Sequence, residues 1–485
     1  MNNKQCHFRV EKDFLGEKEV PIDAYYGIQT MRAIENFPIT GYRIDEALIR
    51  AMAIVKKSAA LANSAVGQLD EQIADGIVNA ANEIIEGKWH DQFIVDPIQG
   101  GAGTSINMNT NEVIANRALE LIGDQKGNYR LISPNSHVNM AQSTNDAFPT
   151  AIHLSTLTRL DQLLVVMEDL HAAFLKKAEE FDGIIKMGRT HLQDAVPIRL
   201  GQEFAAYARV LQRDIKRISR TRENLYEVNM GATAVGTGLN ADPDYMEKVV
   251  NYLTQYSGQP IKAVENLVDG TQNTDCYIEV SSSLKNCMVN MSKVANDLRM
   301  MASGPRSGFG EINLPARQPG SSIMPGKVNP VMAEVLNQSA FQVTGNDLTI
   351  TLACEAGQFE LNVMEPVIVF NLLQSIKVMT NVFTVFREYC LSGITANNNK
   401  MNDYVNNSVG IVTAINPHVG YETAAMIADE AIRTNRPVRE IVLEKGVLTA
   451  KELDTILQPF EMTHPGIAGK ELLDKKRKEK ELVTI

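Results

Sequence analysis

Residues 151–181, AIHLSTLTRLDQLLVVMEDLHAAFLKKAEEF, place Leu154, Leu157, Leu160, Leu164, Met167, Leu170 and Phe174 three or four positions apart, the spacing of one apolar helical face. The run predicts a long helix. The same pattern returns at Phe204, Tyr207, Leu211, Ile215, Ile218 and Leu225, and again at Tyr277, Val280, Leu284, Met288, Met291, Ala295, Leu298 and Met301. Two further helices are predicted over residues 331–353 and 363–390. Helices of this length exceed the usual globular helix and bury their stripes best alongside one another. The chain therefore reads as mainly α, with a central up-and-down bundle of long helices. Separate small helical domains would need linkers, and the sequence offers none.

Outside the bundle the chain has room for more. At 485 residues it exceeds one ordinary core, and its length suggests about three domains or one elongated architecture. Two polar stretches mark composition changes: SPNSHVNMAQSTNDAFPT before the first long helix, and ITANNNKMNDYVNNS after the last. Beyond the second lies a smaller helical part, ending in the charge-mixed KELLDKKRKEKELVTI, a solvated helix end or frayed segment. Strand signals are sparse.

A net charge of -11 with 22% charged residues argues against a nucleic-acid or acidic-membrane surface, while leaving room for a local cationic pocket. The start, MNNKQCHFRVEKDF, lacks the apolar run of a signal peptide, and no uninterrupted apolar run approaches bilayer-spanning length. These features predict a soluble cytoplasmic protein with neither nucleic acid nor membrane as partner. Cys6, Cys276, Cys287, Cys354 and Cys390 form no CxxC pair and read as reduced thiols. The histidines are scattered without HExxH, and the acidic residues form no EF-hand loop, so no metal or other cofactor is predicted.

Four loops collect small polar residues near the helix ends. The densest is Gly320-Ser321-Ser322-Ile323-Met324-Pro325-Gly326-Lys327-Val328-Asn329-Pro330, where glycine and proline favour turns and hydroxyl, ammonium and amide groups crowd together. It is not a phosphate loop: five residues separate Gly320 from Gly326, and Val328 stands where a magnesium-binding hydroxyl belongs. Gly100-Gly101-Ala102-Gly103-Thr104-Ser105, Ser143-Thr144-Asn145-Asp146 and Arg189-Thr190-His191 add flexible backbone, hydroxyls, amides, donors and a titratable ring. Taken singly each has a plain structural role: a tight turn, an N-cap cluster, a core histidine, a surface turn. Taken together, neutral donors with one lysine and one histidine suit a small dicarboxylate. No GxSxG elbow surrounds Ser321, which argues against a hydrolase triad.

GSSIMPGKVNP closely resembles the signature of the aspartase/fumarase superfamily, and the other three loops resemble its remaining active-site segments in the same chain order. The resemblance covers nearly the whole chain. It is closest to the aspartate ammonia-lyases at Ser143-Thr144-Asn145, at His191-Leu192 and at the MAEVLNQ that follows the signature, where fumarate hydratases carry other residues. The resemblance implies interconversion of L-aspartate with fumarate and ammonia. It implies a homotetramer in which each site combines segments of three subunits, and domains of approximately 1–142, 143–396 and 397–485.

It further implies residue roles. Ser321 is the general base. Thr104, Ser143, Thr144 and Ser322 hold the β-carboxylate in its aci form; Lys327 and Asn329 grip the α-carboxylate; Asn145, Thr190 and His191 lie near the leaving amine and α-carboxylate. Glu334 matches the acid that pairs with the histidine in hydratases. Some aspartases are activated by magnesium, and no ligand cluster here decides that point. Fumarate hydratase, a lyase of a larger succinyl adduct and a catalytically silent structural member of the superfamily are the competing expectations.

Overall fold

The computed structural model describes residues 7–483, so Cys6 and the last two residues of the C-terminal tail lie outside the described residues. An antiparallel hairpin, β1 (Phe8–Asp13) and β2 (Gly16–Pro21), opens the chain and is followed by α1 (Ile28–Asn36), α2 (Glu46–Ala65), α3 (Glu71–Ile85) and α4 (Thr104–Leu121). The first long helix is α5 (Thr144–Glu180), joined through the hairpin β3 (Ile185–Thr190) and β4 (Gln193–Arg199) to α6 (Leu200–Leu225). Next come β5 (Glu227–Val228), α7 (Pro243–Ser257), β6 (Lys262–Ala263), the single turn α8 (Asp269–Gln272), α9 (Asp275–Met301) and β7 (Ile312–Asn313). Then α10 (Val331–Glu355), α11 (Glu365–Tyr389), β8 (Thr395–Ala396) and α12 (Asn398–Asn407) lead into six further helices, α13 to α18, between Val412 and Val483.

All five predicted long helices are present, and the fold is mainly helical. The apolar residues expected on α6 and α9 are buried, and on α5 only one position differs: Leu163 is fully buried where Leu164 is half-buried. Helix α5 starts at Thr144, ahead of the predicted stripe, and carries Pro149 inside it. Proline has no N–H for the carbonyl of Asn145 four residues back. The Asn229 amide donates to that carbonyl instead, at 3.0 Å.

The chain divides into two compact units: Met1–Val166 with Asp214–Val289 and Ser339–Asn381, and Met167–Arg213 with Asn290–Gln338 and Val382–Ile485. The division falls inside each of the five long helices. In the first unit, buried Glu112 of α4 accepts from the N–H groups of Gly27, Gln29 and Thr30 and so caps α1. In the second unit Phe174 meets Phe204, Tyr207 and Phe386, with ring centroids 6.1 to 6.4 Å apart. Each such pair adds about 0.5–1.5 kcal/mol beyond its buried area. A second core there gathers Ile411, Ile415, Ile427, Ile441 and Leu453 from the C-terminal segment around Ile185 and Met187 of β3.

Two expectations are corrected. Glu365–Gly393, α11 with its extension, is long and apolar enough to cross a membrane by length and composition, at mean hydropathy 1.4. Its buried Ile368, Leu372, Ile376 and Met379 mark it as a core helix, a role that selects the same composition. Second, Arg189-Thr190-His191 ends a strand rather than a helix, at the tip of the β3–β4 hairpin.

Candidate active site

In the first unit, the N-terminal ends of α4 and α5 lie together. Gly103 precedes α4 with φ of 90°, and a Cβ there would sit 2.3 Å from the Phe148 ring of α5, so only glycine permits the approach. The GGAGTS segment is thus a tight turn, as its composition allows, and it also sets Thr104 beside α5. Thr104 Oγ1 donates to the Gly101 carbonyl at 2.7 Å. Thr144 Oγ1 accepts from Asn107 Nδ2 at 3.0 Å, which leaves the threonine proton to point elsewhere. Two helix N-termini in one place favour an anion.

Ser143 combines both readings of its cluster. Its N–H donates to Asp146 Oδ1 at 2.9 Å while its hydroxyl accepts from the Asn145 N–H at 3.2 Å, a reciprocal cap on α5. The amide of Asn145 donates to the Ala234 carbonyl at 2.7 Å, so its Oδ1 remains an acceptor suited to an ammonium group.

Behind this wall stand two charged residues: Asp146, read in the sequence only as a member of its polar cluster, and Lys56, which sequence reasoning missed. Asp146 is fully buried and accepts from the N–H groups of Ser143, Gly231 and Thr233; burial nonetheless pushes its carboxyl up to about 6. Lys56 of α2 is buried too, and burial pulls its ammonium down to about 7 although Asp146 opposes the shift. Lys56 donates to Asn139 Oδ1 at 2.9 Å and Gln142 Oε1 at 2.8 Å. The available signal was a lysine on the buried face of an apolar helix, one turn from Met52 and Ala60.

The remaining predicted residues lie in the second unit, on two exposed turns. Between Gly320 and Asn329 the chain doubles back: the Gly320 N–H donates to the Lys327 carbonyl, and Asn329 Nδ2 to the Gly320 carbonyl, each at 2.8 Å. Asn329 therefore commits one of its two N–H donors to closing the loop and keeps the other. Met324 to Lys327 forms a turn with Pro325 and then Gly326 at φ of 84°, the residues a type II turn demands. Ser321 Oγ accepts from the N–H groups of Ile323 at 3.2 Å and Met324 at 3.1 Å. Ser322 and Lys327 are exposed.

Thr190 and His191 occupy the hairpin tip, where His191 and Leu192 have φ of 54° and 60° between the paired Thr190 and Gln193. Positive φ at both central residues defines a type I′ turn, which asparagine and glycine normally supply. Arg189, read as a donor of the same cluster, turns away: its guanidinium pairs with fully buried Glu311 at 2.7 Å. Glu334 is half-buried in the first turn of α10. Among the described residues no group of three or more His, Cys, Asp or Glu side chains could hold a metal ion.

The family model described as Lyase matches residues 16–345, and that described as Fumarase C C-terminus matches residues 411–464. Aspartate ammonia-lyase of a Bacillus species is 70% identical over 462 residues, 95% of this chain and 99% of that protein. A crystal structure of a fumarate lyase:delta crystallin from Brucella melitensis bound to cobalt matches at 49% identity and TM-score 0.93, covering 95% of this chain and 100% of that one. A class II fumarase from Schistosoma mansoni matches at 34% identity and TM-score 0.90, over 95% of this chain and 100% of that one. The chain belongs to the aspartase/fumarase superfamily of lyases, within its aspartate ammonia-lyase family.

Proposed function

We propose that this carbon–nitrogen lyase eliminates ammonia from L-aspartate, and adds it back to fumarate, with Ser321 as the base that takes the Cβ proton. The observation that carries the base assignment is the pair of N–H donors on Ser321 Oγ. Donors aimed at an oxygen lower its proton affinity, and a hydroxyl so held is poised to become an alkoxide. The Cβ–H pair of electrons passes into the β-carboxylate as the proton moves to Ser321, giving an aci-carboxylate with charge on two oxygens. Ser143, Thr144 and Ser322 receive that charge, joined by Thr104 once its hydroxyl turns from the Gly101 carbonyl, each donor contributing about 2.7–4 kcal/mol in the transition state by analogy with oxyanion holes. The helix N-termini behind Thr104 and Thr144 add to it.

Lys327 and Asn329 orient the α-carboxylate. Return of the electrons from the aci form breaks the Cα–N bond, and the amine departs past Asn145, Thr190 and His191. An ammonium group leaves without a strong acid, so His191 serves binding.

The working unit in this proposal is a cytoplasmic homotetramer whose sites combine three chains, with domains near 1–142, 143–396 and 397–485. Helix α10 supports assembly: Phe341, Leu348 and Leu352 are 60–67% exposed, while Leu336, Val343 and Ile350 on its other face are buried. Such a helix belongs between other apolar surfaces. Fumarate formation measured by its ultraviolet absorbance tests the reaction. L-Aspartate is expected to yield fumarate and L-malate none; turnover of L-malate alone overturns the proposal in favour of a hydratase.

A further inference from the structure

A cluster of buried charges in the second unit has no part in the chemistry above. Glu311 is wholly enclosed; Arg189 Nη1 reaches its Oε1 at 2.7 Å, and Lys186 Nζ its Oε2 at 3.4 Å. Lys186 also lies 3.2 Å from Glu203. Burying such a cluster gives little net stability, because each ion loses its hydration. Its geometry is nevertheless specific.

In a regular strand, positions 186 and 189 point to opposite faces. The β3–β4 register shifts between Met187 and Arg189, an irregularity of the kind that re-aims side chains. That bulge lets Lys186 and Arg189 meet one carboxylate. Arg189 is further clasped by aromatic rings, with Phe309 at 4.3 Å and Tyr404 at 5.6 Å, and Tyr404 Oη donates to the Phe309 carbonyl at 3.0 Å.

Both sides of the pair lead to the candidate site. Arg189 immediately precedes Thr190 and His191, whose turn holds two non-glycine residues at positive φ, a conformation that persists only when its surroundings over-determine it. Glu311 immediately precedes β7, the stem from which the chain runs to Gly320 and Ser321. Its backbone is pinned as well: its N–H donates to the Met301 carbonyl and its carbonyl accepts from the Asn397 N–H, each at 2.8 Å.

We propose that Arg189 and Glu311 are positioning residues that fix the Thr190–His191 turn and the stem of the Ser321 loop to one buried ionic post. The assignment rests on the reading of Thr190, His191 and Ser321 as site residues. Neither Arg189 nor Glu311 touches substrate; each acts through the segment it anchors.

The test compares Arg189→Met, Glu311→Gln and the double variant of the full-length chain with Leu453→Ala, which opens a cavity in the neighbouring C-terminal core. Each single variant is expected to lower kcat/KM for L-aspartate about 10- to 100-fold, the scale of a small misplacement of reacting groups. The double variant is expected to be no worse than the more impaired single. Leu453→Ala is expected to lower the melting temperature at least as much and leave kcat/KM near wild type. Amide hydrogen exchange of Glu311→Gln is expected to rise in both residues 185–199 and residues 312–330.

Additive losses in the double variant, an equal kcat/KM loss in Leu453→Ala, or faster exchange in only one segment would each overturn the coupling. Should Arg189→Met not fold, Arg189→Lys replaces it. Lysine keeps the charge without the fork, so a smaller loss of kcat/KM is expected and wild-type kinetics count against the proposal. Wild-type-like turnover by Ser321→Ala would instead fail the base assignment while leaving the exchange result to stand by itself.

Discussion

Ser321 and Lys327 sit in the same turn and face different tasks, and their substitutions separate those tasks. Ser321 Oγ is held by two backbone donors that an alanine would leave without their acceptor. Removing a general base costs about 10²–10⁴-fold, so Ser321→Ala is expected to lower kcat by that factor with the circular dichroism spectrum unchanged. Steady-state turnover at saturating L-aspartate checks it, and wild-type-like kcat would remove the base assignment. Lys327 is an exposed cation in a chain of net charge -11. In the proposed mechanism it contacts the α-carboxylate both before and during the reaction. Lys327→Ala is therefore expected to raise KM about 10- to 100-fold, the worth of a charge-assisted hydrogen bond, with a smaller change in kcat. A fall in kcat with KM unchanged would assign Lys327 to the chemical step.

At the scale of elements, what the sequence disclosed depended on how local its causes were. The five long helices were legible because an apolar stripe is a property of each segment alone. The start of α5 was not: its first turn is polar, its second contains Pro149, and the carbonyl that proline strands is met by Asn229, far along the chain. The β3–β4 hairpin was hidden because His191 and Leu192 occupy positions that usually announce themselves as asparagine and glycine. Lys56 was missed, and Asp146 was named without a role, for a similar reason, since their burial comes from packing between helices that no single stretch displays. Among the polar clusters, residue types were readable, but the direction of each side chain was not, as Arg189 and Asn329 both demonstrate.

Short C-terminal helices rely on local devices, and α16 (Ala450–Ile456) offers one that pH can probe. Thr449 and Glu452 form a capping box, and Lys476 also pairs with Glu452. These contacts, the Lys476 hydrogen bond first, hold the Glu452 carboxyl down at about 2, below its ordinary 4.5. A depressed carboxyl stabilises the fold above its ordinary value, and that stabilisation is lost as pH falls through the native value. Between about pH 4.5 and 2 the wild-type melting temperature is thus expected to fall more steeply than that of Glu452→Gln. Calorimetric scans across that range check it; parallel curves would show that the capping box contributes no pH-dependent stability.

The whole molecule raises the question of where a complete site is assembled. Thr144 belongs to one contact unit of the chain and Ser321 to the other, and the proposed tetramer draws each site from three subunits. If Thr144 and Ser321 of one site come from different chains, two inactive variants can repair each other. Ser321→Ala and Thr144→Val are each expected to be nearly inactive alone. When the two are co-expressed with different affinity tags and hetero-oligomers are isolated, some sites receive Thr144 from a Ser321→Ala chain and Ser321 from a Thr144→Val chain. Those sites carry both native side chains, so activity is expected to return to a fraction of wild type. The recovered activity should depend on assembly. Substituting Phe341 and Leu348 on α10 by glutamate buries charge at the proposed interface and should abolish both the oligomer, by light scattering, and the recovery. Sites built within one chain predict the opposite, because every site in a mixed oligomer would then keep the single defect of its own chain, and mixing would restore nothing.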